Sequence, residues 1–174
     1  MSVTKQEYRD AMARLGAAVN VITTGGPAGR GGFTASAVCS VTDDPPMLLI
    51  CMNRNATAAP ALRENGTVCV NVVAAGQQDV AMVFAGTTKC SMAERFDAGT
   101  WATLATGAPV LQGAVVSFDC KVADIVDKGT HSVIFAEVAG IRSGNAHDHG
   151  LIYFGRDYHP VGHPAGKTAA WPAP

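Results

Sequence analysis

The chain has 174 residues, which is enough for one domain with a sizeable core. Its formal net charge is −1 and charged residues make up only 16% of it, so no basic face for nucleic acid is indicated. The longest continuous apolar run, 47–52, is far shorter than the roughly 20 residues of a membrane-spanning helix, and 1–15 lacks the apolar core of a signal peptide. We therefore expect no nucleic-acid or membrane partner, and the low charged fraction favours a partner subunit that covers part of the surface.

The N-terminal part predicts one helix, one strand and a turn. Thr4 and Glu7 have the spacing of a capping box, and apolar residues follow at helical intervals as far as Gly16. A strand is expected over 19–24. The Gly-rich stretch 25–32 is interpreted as a turn, because a strand follows it and a dinucleotide-binding loop would need a helix there.

The next segment, 33–42, is predicted to be one strand with an unusual face. Its even positions carry Thr34, Ser36, Ser40 and Thr42, and its odd positions are apolar. The small hydroxyls could hydrogen-bond a ligand, or they could pack closely against neighbouring backbone, and the pattern leaves both interpretations open. The stretch 43–46 should end the strand, because its prolines cannot donate ladder hydrogen bonds.

The remaining chain alternates between strands and short helices without a regular βαβ order. Strands are predicted over 47–52, 67–73, 115–126, 131–141 and 151–154, and helices over 60–66, 77–85 and from a second capping box at 91–94. We expect a mainly β fold with inserted helices, an antiparallel barrel that forms a single domain over 1–161. The Pro/Ala-rich tail, 162–174, is expected to be mobile.

Cysteine and histidine patterns bear on compartment and metal binding. Five cysteines occur at wide spacing without a C-x-x-C pair, which predicts buried thiols in a reducing compartment, by default the cytoplasm. The pairs His147/His149 and His159/His163 could bind a metal, but neither has a third strong ligand nearby. We expect no metal site.

Three further stretches could carry function. The segment 53–57 follows a buried strand and could receive an anion beside Arg54, or simply cap a helix. His131, in Gly-Thr-His at a hairpin, could meet a ligand or cap the turn. Phe84 and Phe96 have the spacing of ordinary helix core.

Taken together and in order, these stretches resemble the short-chain flavin reductase family, the reductase components of two-component monooxygenases. The matching pieces extend over nearly the whole chain: YRDAM (8–12), AAVNVITT (17–24), GFTASAVCSVTDDPP (32–46), CMNRN (51–55), FAG (84–86), ERF (94–96), FDC (118–120), GTH (129–131) and GLIYF (150–154).

The resemblance implies a split β-barrel, an FMN-binding antiparallel Greek-key barrel, that forms a homodimer. It implies reduction of exchangeable FMN or FAD by NADH, and delivery of the reduced flavin to a separate monooxygenase that acts on a pyrimidine or aromatic substrate. A hypothesis from another class is a flavin carrier or storage module without turnover, which would need no nicotinamide site.

The resemblance also implies roles for individual residues. His131 would lie beside the nicotinamide as an orienting hydrogen-bond donor, and Asn53, Arg54 and Thr57 would approach the flavin phosphate. Many relatives have Ser and Thr where this chain has Ala56 and Ala58, which shifts the phosphate contact towards Thr57 or backbone N–H groups. The other implied flavin-binding residues are Thr34, Ala35, Ser36, Ala37, Ser40, Phe84, Ala85, Gly86, Arg95, Phe96, Tyr153, Arg156 and Tyr158.

Overall fold

Antiparallel strands make up most of the computed structural model, which describes residues 2–145 and 149–162. The strands are β1 (Ala17–Ala18), β2 (Asn20–Thr24), β3 (Gly31–Ala35), β4 (Val38–Asp43), β5 (Pro46–Asn53), β6 (Thr67–Val72), β7 (Trp101–Ala102), β8 (Val110–Leu111), β9 (Val116–Lys128), β10 (His131–Ser143), β11 (Gly150–Phe154) and β12 (Asp157–Val161). The α-helices are α1 (Lys5–Met12), α2 (Ala59–Asn65), α3 (Gln78–Phe84) and α4 (Met92–Arg95), and 3₁₀ turns occupy Ala75–Gln77 and Phe96–Ala98.

The main sheet has seven strands in the order β3-β2-β6-β9-β10-β5-β4, and every neighbouring pair is antiparallel. Its centre is the long hairpin of β9 and β10, as expected for apolar strands joined by a tight turn. The expectation of a mainly β, antiparallel fold with inserted helices is confirmed.

The strand predicted over 33–42 is wrong in one respect, because the structure divides it in two. β3 ends at Ala35 and β4 begins at Val38, and these two strands form the opposite edges of the sheet. Ser36 and Ala37 make the step between them, and the Cys51 backbone N–H donates to the Ala37 carbonyl at 2.9 Å. We call residues 36–37 the corner. The alternation of hydroxyls therefore does not form one continuous face.

A smaller sheet, β1-β11-β12, lies beside the main one. β12 was not predicted, because its sequence, DYHPV, contains a proline and has no apolar alternation. Helix α1 has the predicted capping box, with the Glu7 N–H donating to Thr4 Oγ1 at 3.2 Å, but it ends at Met12, before Gly16. An ion pair between Asp10 and Arg156 joins α1 to the β11–β12 hairpin.

Two large apolar clusters, and a small one of Cys69, Ala108 and Val110, fill the interior of the described chain. One packs α2 under the centre of the main sheet around Ile50, Met52 and Leu62. The other contains Phe84 and Phe96, whose rings meet edge to face with centroids 5.2 Å apart. This second cluster fixes the end of α3, which reaches the site described below.

The cysteines are less uniformly buried than the sequence predicted. All five cysteines lie in the described ranges and are free, but only Cys69 and Cys120 are buried, and Cys39 is exposed on β4, so the expectation of uniformly buried thiols is wrong.

Among the described residues, no helix combines the length and the apolar character that a membrane span requires. Apart from its first residue, the predicted tail lies outside the described residues, as do His147 and His163.

Candidate functional site

A cleft of about 470 Å³ opens where β3, the corner, the segment after β5, the end of α3 and the start of β10 come together. We call it the main cleft. Its lining residues are Gly32, Phe33, Thr34, Ala35, Ser36, Ala37, Cys51, Asn53, Asn55, Ala56, Thr57, Phe84, Ala85, Gly86, Arg95 and His131.

Small side chains form the wall on the side of β3 and the corner. Thr34 donates its hydroxyl hydrogen bond to the Ala81 carbonyl at 2.6 Å, so this hydroxyl also ties β3 to α3. Ser36 and Ala37 are exposed at the edge of the cleft. A wall of this kind lets a flat ring approach the backbone without meeting a long or charged side chain.

Arg95 is the one arginine or lysine among the described residues that line the main cleft, and it gives the cleft a positive charge. A capping box at Ser91 and Glu94 begins the short helix α4, which ends at Arg95. The Arg95 Nε atom is buried and has no hydrogen-bond partner among the described residues. Arg95 as a whole is half-buried, but a buried donor atom without a partner is costly unless a ligand completes it, so Arg95 fits an anionic or strongly accepting group.

His131 and Arg54 have different surroundings, although both were predicted to contact a cofactor. His131 is exposed at the cleft, and its Nδ1 lies 2.9 Å from Thr130 Oγ1. Arg54 does not line the main cleft: its Nη1 donates to the Gly129 carbonyl at 3.3 Å, and its Nε lies 3.7 Å from Asp127 Oδ2. The structure therefore directs the Arg54 side chain towards the hairpin turn.

Two further clefts adjoin the main one. The second, about 530 Å³, contains Tyr153, Arg156 and Tyr158 and shares Ser36 with the main cleft. The third, about 670 Å³, lies between α1 and the β11–β12 hairpin, and Ser36 lines it as well. The predicted C-terminal residues thus border a neighbouring space, separated from the main cleft by residues that line both.

Besides Arg54, two predicted residues lie away from all three clefts. Ser40 is exposed on the edge strand β4, and Phe96 is buried behind the main cleft, against Phe84 and Trp101. Asn55 and Ala56, by contrast, line the main cleft and were not singled out as ligand contacts. Asn55 ends the CMNRN stretch (51–55) and Ala56 follows it, and this place beside the stretch is a sequence signal that could have indicated them.

The main cleft is equipped for binding and orientation more than for nucleophilic attack. Burial and the neighbouring Cys39 thiol raise the pKa of Cys51, which keeps that thiol protonated and weakly reactive at neutral pH. No group of three His, Cys, Asp or Glu residues within the described ranges could hold a metal ion. Neutral polar groups, a flat apolar wall and one guanidinium suit a planar, hydrogen-bonding ligand that carries negative charge.

Comparisons with known proteins agree with this character. A family model described as a flavin reductase like domain matches residues 12–162. A Variovorax paradoxus protein named FMN reductase (NADH) RutF is 58% identical over 160 residues, which cover 92% of this chain and 87% of that protein. A protein of the same name from Ancylobacter novellus is 56% identical over 160 residues, with the same two coverages. The solved structure of BorF, the flavin reductase component of a bacterial two-component tryptophan halogenase, matches with a TM-score of 0.84 at 29% identity, over 92% of this chain and all of that one.

Proposed function

This chain belongs to the flavin reductase-like family, and on that premise we propose that it is an NADH-dependent flavin reductase that supplies reduced flavin to a separate monooxygenase. FMN is the flavin that we propose, with NADH as the reductant, because the relatives at 56–58% identity carry those words in their names. The observation that carries the proposal is the main cleft, where small β3 and corner residues, Arg95 and His131 meet.

The isoalloxazine ring of the flavin would lie against β3 and the corner. Thr34 to Ala37 offer backbone groups and the Ser36 hydroxyl at that wall, without a charge that the ring would have to desolvate. The buried, unpartnered Nε of Arg95 supports placing the flavin phosphate beside Arg95, with Asn53 and Thr57 along the same cleft. Tyr153, Arg156 and Tyr158 would contact parts of a cofactor that extend past Ser36 into the second cleft.

Hydride transfer from the nicotinamide to the flavin is chemistry that the two cofactors supply. The protein has to hold two rings face to face at roughly 3–3.5 Å and to keep water out. His131 orients the nicotinamide by a hydrogen bond, and the buried Phe84 under the cleft provides an apolar floor. No residue has to act as a nucleophile or a strong base, which agrees with the neutral Cys51.

Two features support a homodimer and a barrel closed at the corner. No residue of α1 is buried within the described chain; Tyr8 of α1 is 60% exposed, and Leu15, three residues past the end of the helix, is 63% exposed. Exposed large apolar side chains of this kind are typical of a surface that a second copy covers. The edge strands β3 and β4 are joined directly through the corner, which favours a split barrel in which the two edges approach each other.

The free cysteines bear on the compartment, and the family resemblance bears on the partner monooxygenase. Five free cysteines suit a reducing compartment, and we place the protein in the cytoplasm. As the partner we propose a separate monooxygenase that acts on a pyrimidine or an aromatic substrate, as the family resemblance implies. Gene neighbourhood tests that assignment.

The test of the function is to mix the protein with FMN and NADH and to follow the absorbance at 340 nm. We expect the protein to oxidise NADH catalytically, whether FMN is substoichiometric or in excess, and to oxidise NADPH more slowly. We also expect the reduced flavin to leave the protein, pass through a dialysis membrane and reduce cytochrome c on the other side. A flavin carrier would bind FMN but leave the absorbance constant. Failure to bind FMN or FAD would contradict both hypotheses.

A further inference from the structure

His131 stands at the first position of β10, directly after the turn that joins β9 to β10. Its backbone pairs with Asn53 of β5 on one side and with Lys128 of β9 on the other. Its side chain faces the main cleft, and its Nδ1 lies 2.9 Å from Thr130 Oγ1. The direction of the imidazole therefore depends on where the turn holds Thr130.

Asp127 lies at the other end of this turn, and two side chains donate hydrogen bonds to one of its oxygens. Its Oδ1 accepts hydrogen bonds from Ser132 Oγ at 2.7 Å and from Arg63 Nη2 at 2.6 Å. Ser132 is fully buried, and Arg63 of α2 also donates to its hydroxyl at 2.7 Å. The hydrogen bond from Ser132, and then the one from Arg63, hold the pKa of Asp127 below its ordinary value, so the carboxylate is charged at neutral pH.

Arg54 holds the same turn from the side of β5. Its backbone N–H donates to the Thr130 carbonyl at 3.0 Å, its Nη1 donates to the Gly129 carbonyl at 3.3 Å, and its Nε lies 3.7 Å from Asp127 Oδ2. The side chains of Arg54 and Asp127 are 50% and 41% exposed, so their ion pair contributes little to global stability. The ion pair instead restricts the movement of the turn, because exposed turns open locally at low free energy.

From these contacts we propose that Asp127 is a positioning residue for His131, because with Arg54 and Arg63 it fixes the turn so that the imidazole faces the nicotinamide of NADH. The inference rests on the proposed function, since it takes His131 as the group beside the nicotinamide. Asp127 itself does not line the main cleft and acts through the turn.

The test compares Asp127→Ala with the conservative variant Asp127→Glu. We expect Asp127→Ala to raise KM for NADH about three- to tenfold, while the Kd for FMN and the Tm stay close to those of the parent protein. Asp127→Glu should recover part of the loss. Asp124→Asn is the matched control, because Asp124 is an exposed carboxylate on the same strand that accepts a hydrogen bond from the backbone N–H of its neighbour Ile125, at 2.7 Å.

A double-mutant cycle separates positioning from a merely structural role. In a His131→Ala background, Asp127→Ala should raise KM for NADH no further, because its route to the nicotinamide is gone. An equal rise in both backgrounds, or no rise in the parent, would overturn the proposal. If Asp127→Ala does not fold, Arg54→Met releases the same turn by removing an exposed side chain, and the same non-additivity is expected.

A second readout needs no turnover. Long-range ¹H–¹⁵N spectra report the ring nitrogens of each histidine, and the His131→Ala variant identifies the signal of His131. Asp127→Ala should shift or broaden that signal, and Asp124→Asn should not. If the parent protein fails to oxidise NADH with flavin, the proposed function is wrong, but this spectrum still decides the inference: an unchanged His131 signal in Asp127→Ala contradicts it.

Discussion

Phe84 packs so closely on Gly32 that a Cβ built on Gly32 would lie 2.6 Å from Phe84 Cε1 and 2.9 Å from the Ile22 carbonyl oxygen. Both Gly32 and Phe84 line the main cleft, so the absence of a side chain at 32 sets the depth of its floor. The ring could turn aside for an added methyl group, but the carbonyl of the paired strand cannot.

Gly32→Ala is therefore expected to destabilise the fold by about 1–3 kcal/mol and to weaken FMN binding, because the strand or the ring has to move. Thermal unfolding should show a Tm about 3–10 °C lower, and fluorescence titration should show a higher Kd for FMN. Gly76→Ala is the control, since no described atom lies within 4 Å of the added Cβ. Equal Tm and Kd for Gly32→Ala and the parent would disprove the tight contact.

Arg95→Gln should lose FMN affinity by about tenfold or more, because a charged hydrogen bond to an anionic group is worth about 1.5–3 kcal/mol. Riboflavin, which lacks the phosphate, should bind the variant and the parent equally well. Quenching of flavin fluorescence measures both ligands. Arg142→Gln, a change at an exposed site on β10, controls for net charge. A similar loss for riboflavin would place Arg95 beside the ring instead of the phosphate.

His131→Ala should raise KM for NADH about tenfold, which corresponds to the loss of one hydrogen bond of about 1.4 kcal/mol. The Kd for FMN should stay the same, since the flavin lies against β3 and the corner. Initial rates at saturating FMN measure the first quantity and fluorescence titration the second. His159→Ala serves as the control from the β11–β12 hairpin. Unchanged NADH kinetics would remove His131 from the nicotinamide site.

Alkylation by iodoacetamide should modify Cys39 first and leave Cys69 and Cys120 intact until the protein unfolds. Burial raises the pKa of Cys69 well above its ordinary value and that of Cys120 to about 12, so at pH 8 only about one Cys120 thiol in ten thousand is a thiolate. Mass spectrometry of timed samples gives the order. FMN should slow modification of Cys51, which lines the main cleft. Early labelling of Cys120 in folded protein would contradict its burial.

Leu15→Glu should weaken the proposed dimer at least tenfold without unfolding the subunit, because Leu15 is 63% exposed in the single chain. A carboxylate buried between two copies would lack a partner and would be costly. Light scattering after size-exclusion chromatography measures the mass. Ala123→Glu, an exposed position on β9, carries the same change of charge. Identical masses for both variants and the parent would show that Leu15, just after α1, does not lie in the interface.

The sequence was sufficient for the family, the mainly β class and most helix boundaries, because these depend on local patterns. The capping boxes at Thr4 and Ser91 are fixed by residues three apart, and both are present in the structure. The resemblance to flavin reductases is confirmed by the family match over 12–162. Most residues predicted to bind the cofactors line one of two adjoining clefts, and their contacts remain predictions.

What local patterns did not reveal depends on pairing between distant segments. The break at the corner is decided by which strands β3 and β4 join, and alternation of side chains continues across it. The local sequence around Arg54 predicts that it binds an anion, but its side chain contacts Asp127 and Gly129, which lie far along the chain. β12 exists because β11 lies beside it, since its own sequence has little strand character.

Ser36 belongs to the walls of all three clefts described above, and Ala37 to two of them. Molecules held in neighbouring clefts would consequently be separated by little more than one small side chain. The rate at which a ligand leaves one cleft would then depend on whether the adjoining cleft is occupied. A substitution at 36 that adds bulk would alter all three spaces at once, whereas most changes elsewhere in their walls would reach only one.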